Sequence, residues 1–269
     1  MSMTVMTFNL RYPEIKDGPD YWPKRIGRAA AAILDHKPLV VGTQEGYHTM
    51  LTELEPFLER YAWIGDGRFG GRENEHNAIF YDREKLELQE HGQFWLSETP
   101  DVAASRSWDS MFPRICTWAR FSLRDGGEGD RRTAFYVYNT HLDHHSQAAR
   151  DNGIQVIAAR MRAQRLEDGC PAILLGDFNS APADLPIRML RGEVAFGSDR
   201  SELADAYSIL NENPGLTAHS FRGGEDGQPI DYIFASPEFS IRSVRVDREL
   251  RGGGYPSDHY PVVAELGLA

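Results

Sequence analysis

The sequence predicts a layered α/β fold in which helices pack on the outside of β-sheets. The chain has 269 residues, of which 41 % are apolar and 26 % are charged. This is the balance of an ordinary globular protein with a substantial core. Short apolar segments of strand length recur along the whole chain, and a few longer amphipathic segments lie between them. Many strands interleaved with a few long helices are typical of layered α/β architectures.

The strand candidates are short runs rich in branched and aromatic residues and bounded by turn-forming residues. They cover residues 4–10, 39–43, 62–65, 77–81, 86–96, 115–123, 134–140, 172–176, 230–235, 241–246 and 261–266. Helical periodicity predicts helices at residues 22–36, 49–60 and 147–167. In the last of these, one face carries Ile154, Ile157, Ala158, Met161 and Leu166.

No long linker divides the chain. The Gly-rich segment 125–130 is short and predicts a surface turn between two strands. We therefore expect a single domain over residues 1–269.

Charge and hydropathy exclude several classes of protein. With 29 Lys+Arg against 40 Asp+Glu, the net charge is −11, which argues against a protein that coats DNA by bulk attraction. An enzyme acting on phosphates stays possible, because a bound cation inverts the local charge. No apolar run reaches the roughly 18–20 residues that a membrane span needs.

The first eight residues lack a basic region and a cleavage site, so they predict a strand rather than a signal peptide. Cys116 and Cys170 stand far apart in apolar surroundings, which favours two buried reduced thiols over a disulfide. From these features we expect a cytoplasmic monomer without a membrane partner.

Polar side chains follow the apolar bodies of five predicted strands. The strand ends carry Asn9, Glu45 and His141, the pair Asp177 and Asn179, and Asp258–His259 just before the last strand. One such ending is a routine turn. Five endings of metal-ligand or acid–base type together indicate a site at a sheet edge.

The ordered set of motifs resembles the endonuclease/exonuclease/phosphatase superfamily, in particular a bacterial branch of it. The motifs are Asn9, Gln44-Glu45, Asn139-Thr140-His141-Leu142, Gly176-Asp177-Phe178-Asn179, Ile230-Asp231-Tyr232 and Ser257-Asp258-His259. Each motif alone is weak, but their order over residues 4–266 is specific. The resemblance implies a four-layered α/β-sandwich, with two packed mixed β-sheets flanked by helices. It also implies a hydrolase of phosphate esters that depends on Mg²⁺ or Mn²⁺.

The same resemblance implies roles that fit phosphoester chemistry. Glu45, Asn9 and Asp258 would hold the cation, directly or through water, since hard cations prefer oxygen ligands. Asp177 would orient and deprotonate the attacking water. Asn179 would donate to a phosphoryl oxygen, provided that the chain stays extended between these two residues.

Two histidines are expected to act with carboxylate partners. We pair His259 with Asp231, and His141 with Glu75, with Glu73 as the competing partner of His141. Each carboxylate would fix the imidazole tautomer and raise the imidazole pKa. The alternative for His141 is a structural histidine that closes a turn.

Two further residues are candidates for substrate binding. The resemblance assigns a phosphate contact to Arg114, against the alternative of a solvated arginine at the sheet rim. Trp108, in a Ser/Asp-rich loop, would either stack on a base or sugar or plug its loop onto the sandwich. Next to His141, His144 and His145 either line the cleft or cap the following helix.

Three functions share this set of residues. The first is a phosphodiesterase of nuclease type, and the second is a phosphatase or phosphodiesterase acting on a small molecule or a lipid headgroup. The third is an inactive binding protein on the same scaffold, against which the complete set of chemical residues argues. The partner is then a phosphate ester, with nucleic acid as one candidate, and the core alone does not decide between them.

Overall fold

The computed structural model describes residues 2–124 and 134–268, and the predicted turn at 125–130 lies outside these residues. The strands are β1 (Ser2–Asn9), β2 (Val40–Gln44), β3 (Gly46–Tyr47), β4 (Tyr61–Ile64), β5 (Glu75–His76), β6 (Ile79–Asp82), β7 (Leu86–Trp95), β8 (Ile115–Leu123), β9 (Ala134–His141), β10 (Ala172–Asp177), β11 (Ala204–Asp205), β12 (Asp231–Ala235), β13 (Phe239–Val246) and β14 (Val262–Leu268). The helices are α1 (Trp22–His36), α2 (His48–Leu54), α3 (Gln147–Asp168) and α4 (Leu185–Leu190).

Two six-stranded mixed sheets pack against each other. The first sheet has the order β13-β14-β1-β2-β6-β4, and the second has the order β11-β12-β10-β9-β8-β7. Strands β1 and β2 of the first sheet contact β9, β10 and β12 of the second. Helices α1 and α2 cover the outer face of the first sheet, and α3 and α4 cover that of the second. The predicted four-layered α/β-sandwich is therefore confirmed.

Two parallel strand pairs set the direction of the sheets. Strand β1 runs parallel to β2, and β9 runs parallel to β10. Parallel neighbours need a long crossover, which α1 provides in the first sheet and α3 in the second. Both crossovers leave the carboxyl ends of the paired strands side by side, and this places the site residues.

The helices deviate from the prediction at their ends. The predicted helix over 49–60 stops at Leu54 and continues as a 3₁₀ turn, Glu55–Phe57, because Pro56 has no N–H to extend the α-helical ladder. Leu166, predicted on the buried face of α3, is 77 % exposed, so the prediction for this residue is wrong. Strands β3, β5 and β11 and helix α4 were not predicted, because they are too short to show a period.

A buried amide joins the two sheets. Asn139 on β9 is fully buried, and its Nδ2 donates to the carbonyl oxygens of Thr43 and Ala78, both at 2.9 Å. Its Oδ1 accepts a hydrogen bond from Gln44 Nε2 at 2.7 Å. Gly42 permits this approach, because a Cβ there would lie 1.9 Å from a methyl carbon of Leu175. We call these contacts of Asn139 the Asn139 clasp.

The remaining expectations about the core concern the cysteines and membrane spans. Cys116 and Cys170 are both free and buried, as predicted. Among the described helices, none combines the length and hydrophobicity that crossing a bilayer requires.

We expect Asn139→Ala to lower the free energy of unfolding by about 1.5–4.5 kcal/mol, because it removes three buried hydrogen bonds at about 0.5–1.5 kcal/mol each. The Ala78 carbonyl and Gln44 Nε2 keep other partners in the variant. Urea denaturation measures this loss. The matched control is Asn152→Ala on α3, whose amide bonds only the carbonyl of Ala148 on its own helix. The control should change stability by about 0.5 kcal/mol or less, and an equal loss in the two variants would contradict a sheet-joining role for Asn139.

Candidate active site

The strand ends with polar residues meet at one edge of the sandwich. Asn9 at the end of β1 lies beside Gln44 at the end of β2. In the second sheet, Asp177 lies between His141 on β9 and Asp231 on β12. The antiparallel pairing of β14 with β1 sets Val262 opposite Thr7, so the segment just before β14 brings His259 to the same edge.

Asp177 is the centre of this edge. Its side chain is 2 % exposed, and its Oδ1 accepts the backbone N–H of Asn179 at 2.9 Å. Its Oδ2 lies 3.0 Å from Asn9 Nδ2, 3.5 Å from His141 Nε2 and 3.9 Å from His259 Nε2. Burial, together with the charge of Asp231, raises the pKa of Asp177 to about 7.

His259 and Asp231 form the expected pair. His259 Nδ1 lies 2.9 Å from Asp231 Oδ2, and both side chains are buried. Burial opposes the imidazolium, but Asp231, Asp177 and Asp258 raise the pKa of His259 well above its usual range. His259 is thus held as a cation whose Nε2 points toward Asp177.

The prediction that Glu75 pairs with His141 is wrong. Glu75 instead forms a two-fold ion pair with Arg68, at 2.9 and 3.0 Å, and the competing Glu73 is exposed. His141 keeps Asp177 as its nearest carboxylate. Burial and the nearby cations Arg114, His259 and Arg68 lower the pKa of His141 well below its usual range. The expected rise in imidazole pKa is therefore found for His259 and not for His141.

Three predicted metal ligands lie on the other side of Asp177. Asn9 Nδ2 donates to Glu45 Oε1 at 3.1 Å as well as to Asp177, and Glu45 Oε2 accepts the N–H of Tyr12 at 3.0 Å. Asp258 lies 3.6 Å from Arg11 Nε. Burial and the charge of Glu45 both raise the pKa of Asp258. Carboxylates that repel each other in this way suit a hard cation with oxygen ligands.

A second group of possible ligands is Asp177, Asp231 and His259, whose ligand atoms lie within 4.8 Å of one another. His259 Nδ1 is already bonded to Asp231, and Mg²⁺ prefers oxygen. Asp231 Oδ1 has no hydrogen-bond partner, yet this trio is better explained as a hydrogen-bonded pair that faces Asp177.

The chain does not stay extended after Asp177. Strand β10 ends there, and Asn179 adopts a left-handed conformation with φ of 45°. Its Nδ2 donates to the carbonyl oxygen of Leu142 at 3.0 Å, so the assumption behind its predicted orientation was wrong. The intervening Phe178 is buried and packs edge-to-face on Tyr232 and Phe234, which anchors the turn to the core.

Arg114 and Trp108 differ in their surroundings. Arg114 is buried, with its Nε 3.3 Å from Asp143 and its Nη2 2.7 Å from His144 Nδ1. The alternative of a solvated rim arginine is therefore wrong.

Trp108 is half-buried, and its carbonyl accepts a hydrogen bond from Ser146 Oγ at 2.6 Å. Its ring makes no aromatic contact with a described residue, so the backbone ties the loop to α3.

Sequence reasoning missed three residues at this edge. Arg11 contacts Asp258, Arg68 holds Glu75, and Asp143 accepts bonds from Arg114 and from the N–H groups of His145 and Ser146. Arg11 and Asp143 were detectable, since each lies two residues after a predicted site residue. Arg68 had no such signal, because it lies in a loop.

Comparison with known proteins agrees with this geometry. A model of the Endonuclease/Exonuclease/phosphatase family matches residues 6–259. A solved endonuclease/exonuclease/phosphatase family protein from Bacteroides thetaiotaomicron is 32 % identical, with a TM-score of 0.88 over 100 % of this chain and 98 % of that chain. A mannosyl-6-phosphatase from the same species is also 32 % identical, with a TM-score of 0.87 over 99 % of this chain and 100 % of that chain.

A curated relative is more distant. Nocturnin of Drosophila melanogaster is 27 % identical over 220 residues, which is 71 % of this chain and 32 % of that protein. The chain thus spans about a third of the length of this relative. The match over residues 6–259 and the convergence of the strand ends on Asp177 show that the chain belongs to the Endonuclease/Exonuclease/phosphatase family.

Proposed function

We propose that the protein is a divalent-metal-dependent hydrolase that cleaves the phosphate ester of a small molecule. The observation that carries this proposal is the position of Asp177. Its buried carboxylate lies between the His259 imidazolium, which is paired with Asp231, and the oxygen ligands around Asn9. A base, a fixed cation and a cation-binding group in one place are what hydrolysis of a phosphate ester requires.

The residues of the site then have separate roles in hydrolysis. A bound Mg²⁺ or Mn²⁺, held by Glu45, Asn9 and Asp258, would neutralise charge on a phosphoryl oxygen. The Asp177 carboxylate accepts a proton from water as the water oxygen bonds to phosphorus and the ester P–O bond breaks. Asn9 and the N–H of Asn179 hold this carboxylate in place.

His259 supplies positive charge where the phosphoryl oxygens gain negative charge. Asp231 keeps the ring charged and leaves Nε2–H free to donate to a phosphoryl oxygen or to the departing ester oxygen. His141 is neutral at the same edge, so it acts as a hydrogen-bonding group rather than as a second cation.

A small substrate is favoured over nucleic acid by two observations. The net charge of −11 disfavours bulk attraction of a polyanion, and a relative that aligns along its full length is named a mannosyl-6-phosphatase. A phosphodiesterase of nuclease type is the second candidate, because the half-exposed Trp108 ring is free to stack on a base.

We expect turnover to stop in excess EDTA and to return with Mg²⁺ or Mn²⁺. Ca²⁺ should bind without supporting turnover, because its looser coordination positions water less well. A panel of phosphomonoesters, a bis-aryl phosphodiester, sphingomyelin, RNA and single- and double-stranded DNA identifies the substrate class. Full turnover by protein of verified low metal content would contradict the proposed metal dependence.

Binding of Mg²⁺ should release protons at pH 6.5 and almost none at pH 8.5. Asp177, with its pKa of about 7, is mostly protonated at the lower pH, and a nearby cation favours its carboxylate. Apparent affinity for Mg²⁺ should therefore rise as the pH increases from 6 to 8. Calorimetry in buffers of different ionisation enthalpy counts the protons. Asp177→Asn should release fewer, and equal release by variant and wild type would exclude Asp177 as the source.

His259→Ala should lower kcat/KM by about 10²–10⁴-fold, and Asp231→Asn should reproduce most of that loss. The double variant should resemble His259→Ala alone, because residues that act as a unit are not additive. His91→Ala is the matched control, since this histidine is exposed on β7 and should leave the rate unchanged. Losses that multiply in the double variant would show that the two residues act independently.

A further inference from the structure

Four side chains form a wall beside the end of β9, which carries His141. It consists of Arg68, Phe112, Arg114 and His144, and we call it the donor wall. The Arg68 guanidinium lies 4.2 Å from the centre of the Phe112 ring, and the ring centres of Phe112 and His144 are 6.4 Å apart. Cys116 of β8 pairs with Thr140 of β9, so Arg114 lies beside the end of β9 that carries His141. The charges of Arg68 and Arg114 accordingly lower the pKa of His141.

The hydrogen bonds of the donor wall fix the tautomer of His144. Arg114 Nη2 lies 2.7 Å from His144 Nδ1. A guanidinium only donates hydrogen bonds, so this ring nitrogen must accept and carries no proton. His144 is consequently neutral, with its single N–H at Nε2. Burial and Arg114 lower the pKa of this imidazole, which agrees with a neutral ring.

Asp143 holds this arrangement in place. Its Oδ2 accepts from Arg114 Nε at 3.3 Å, and its Oδ1 accepts the N–H groups of His145 and Ser146 at 2.9 and 2.8 Å. The side chain of Asp143 is fully buried. The contacts of Asp143 and Arg114 fix the direction of the Nε2–H of His144. His144 itself is exposed, so this N–H is available to a ligand.

Neighbouring carboxylates balance the positive charges of the donor wall. Arg68 is balanced by Glu75 and Arg114 by Asp143, while His144 is neutral. A second phosphate or a nucleic-acid backbone is bound by cations without such partners. A surface whose charges are balanced, and which offers a neutral donor, a carboxylate acceptor and an aromatic ring, instead suits a ligand that carries hydroxyl groups on a partly apolar skeleton.

We propose that His144 is a substrate-binding residue whose Nε2–H donates to an oxygen of an uncharged, hydroxyl-rich group carrying the phosphate. The preferred substrate is then a phosphate monoester of a sugar-like compound. This inference rests on the proposed phosphoesterase function, and it adds a residue and a substrate class to it.

The test compares kcat/KM for mannose 6-phosphate and p-nitrophenyl phosphate, whose ring bears no hydroxyl groups, in the full chain with Mg²⁺. His144→Ala should lower the ratio of the two values by about 3–10-fold, mainly through KM for the sugar phosphate, as the loss of one hydrogen bond predicts. His144→Gln retains an N–H donor and should restore most of the ratio. The matched control is His145→Ala, because this neighbouring histidine is also exposed and only its backbone contacts Asp143.

Each outcome bears on one of the two proposals. An unchanged ratio in His144→Ala, or an equal change in His145→Ala, overturns the role of His144. Cleavage of a phosphodiester such as a dinucleotide without cleavage of mannose 6-phosphate overturns the substrate class but leaves the metal-dependent phosphoesterase intact. A wild-type protein that cleaves no phosphate ester with any metal overturns the proposed function itself.

A measurement that does not depend on activity tests the tautomer. Nitrogen NMR of histidine-labelled protein at pH 7, assigned with His144→Gln, should show His144 with a protonated Nε2 and a bare Nδ1. A proton on Nδ1 would overturn the inference, because Arg114 could not then donate to that atom.

Discussion

The Asn139 clasp is the interaction on which the site depends, because it fixes the distance between the two sheets. Its members directly precede site residues along the chain: Gln44 precedes Glu45, and Asn139 lies two residues before His141. The hydrogen bonds of the Asn139 side chain to Thr43, Ala78 and Gln44 are fully buried. A buried polar network that is satisfied in only one arrangement specifies that arrangement. The relative positions of Glu45 and His141 follow from it.

The two histidines of the site differ in charge because their neighbours differ. His259 has three carboxylates around it, and its pKa is raised, whereas His141 faces cations, and its pKa is lowered. The Glu75 carboxylate that would have balanced His141 is bonded to Arg68. The site is therefore asymmetric, with positive charge on one side of Asp177 and a neutral imidazole on the other. Such asymmetry gives an anionic substrate one preferred orientation.

Much of the fold was predictable because periodic patterns extend over long elements. Helix α1 has the predicted bounds, and the strand candidates correspond to β1, β2, β4, β6–β10 and β12–β14 within a few residues. The pair of His259 and Asp231 was also predictable, because Asp231 begins β12 and His259 lies just before β14, and these strands of opposite sheets contact each other. Because the strand order fixes the position of each strand end, the last side chain of a strand has few positions open to it.

The errors in the site concern residues whose partners depend on loop conformation. Glu75 follows a loop in which Asn74 and two glycines have positive φ, and that loop returns Arg68 to its carboxylate. Asn179 is likewise turned by a left-handed backbone. Alternation of side chains along a strand does not apply in such segments. The chemistry of the donor wall was invisible for the same reason, since Phe112 and Arg68 lie outside regular elements.

The pairing of β1 with β14 has a consequence for the growing chain. Strand β1 is synthesised well before one of its neighbours, β14, which spans Val262–Leu268. Until that segment leaves the ribosome, one side of β1 has unpaired N–H and C=O groups, and an open strand edge promotes association with other chains. His259 is synthesised just before β14, so a nascent chain has no complete site before this segment appears. Protection of the β1 edge and completion of the site are thereby tied to the same event in translation.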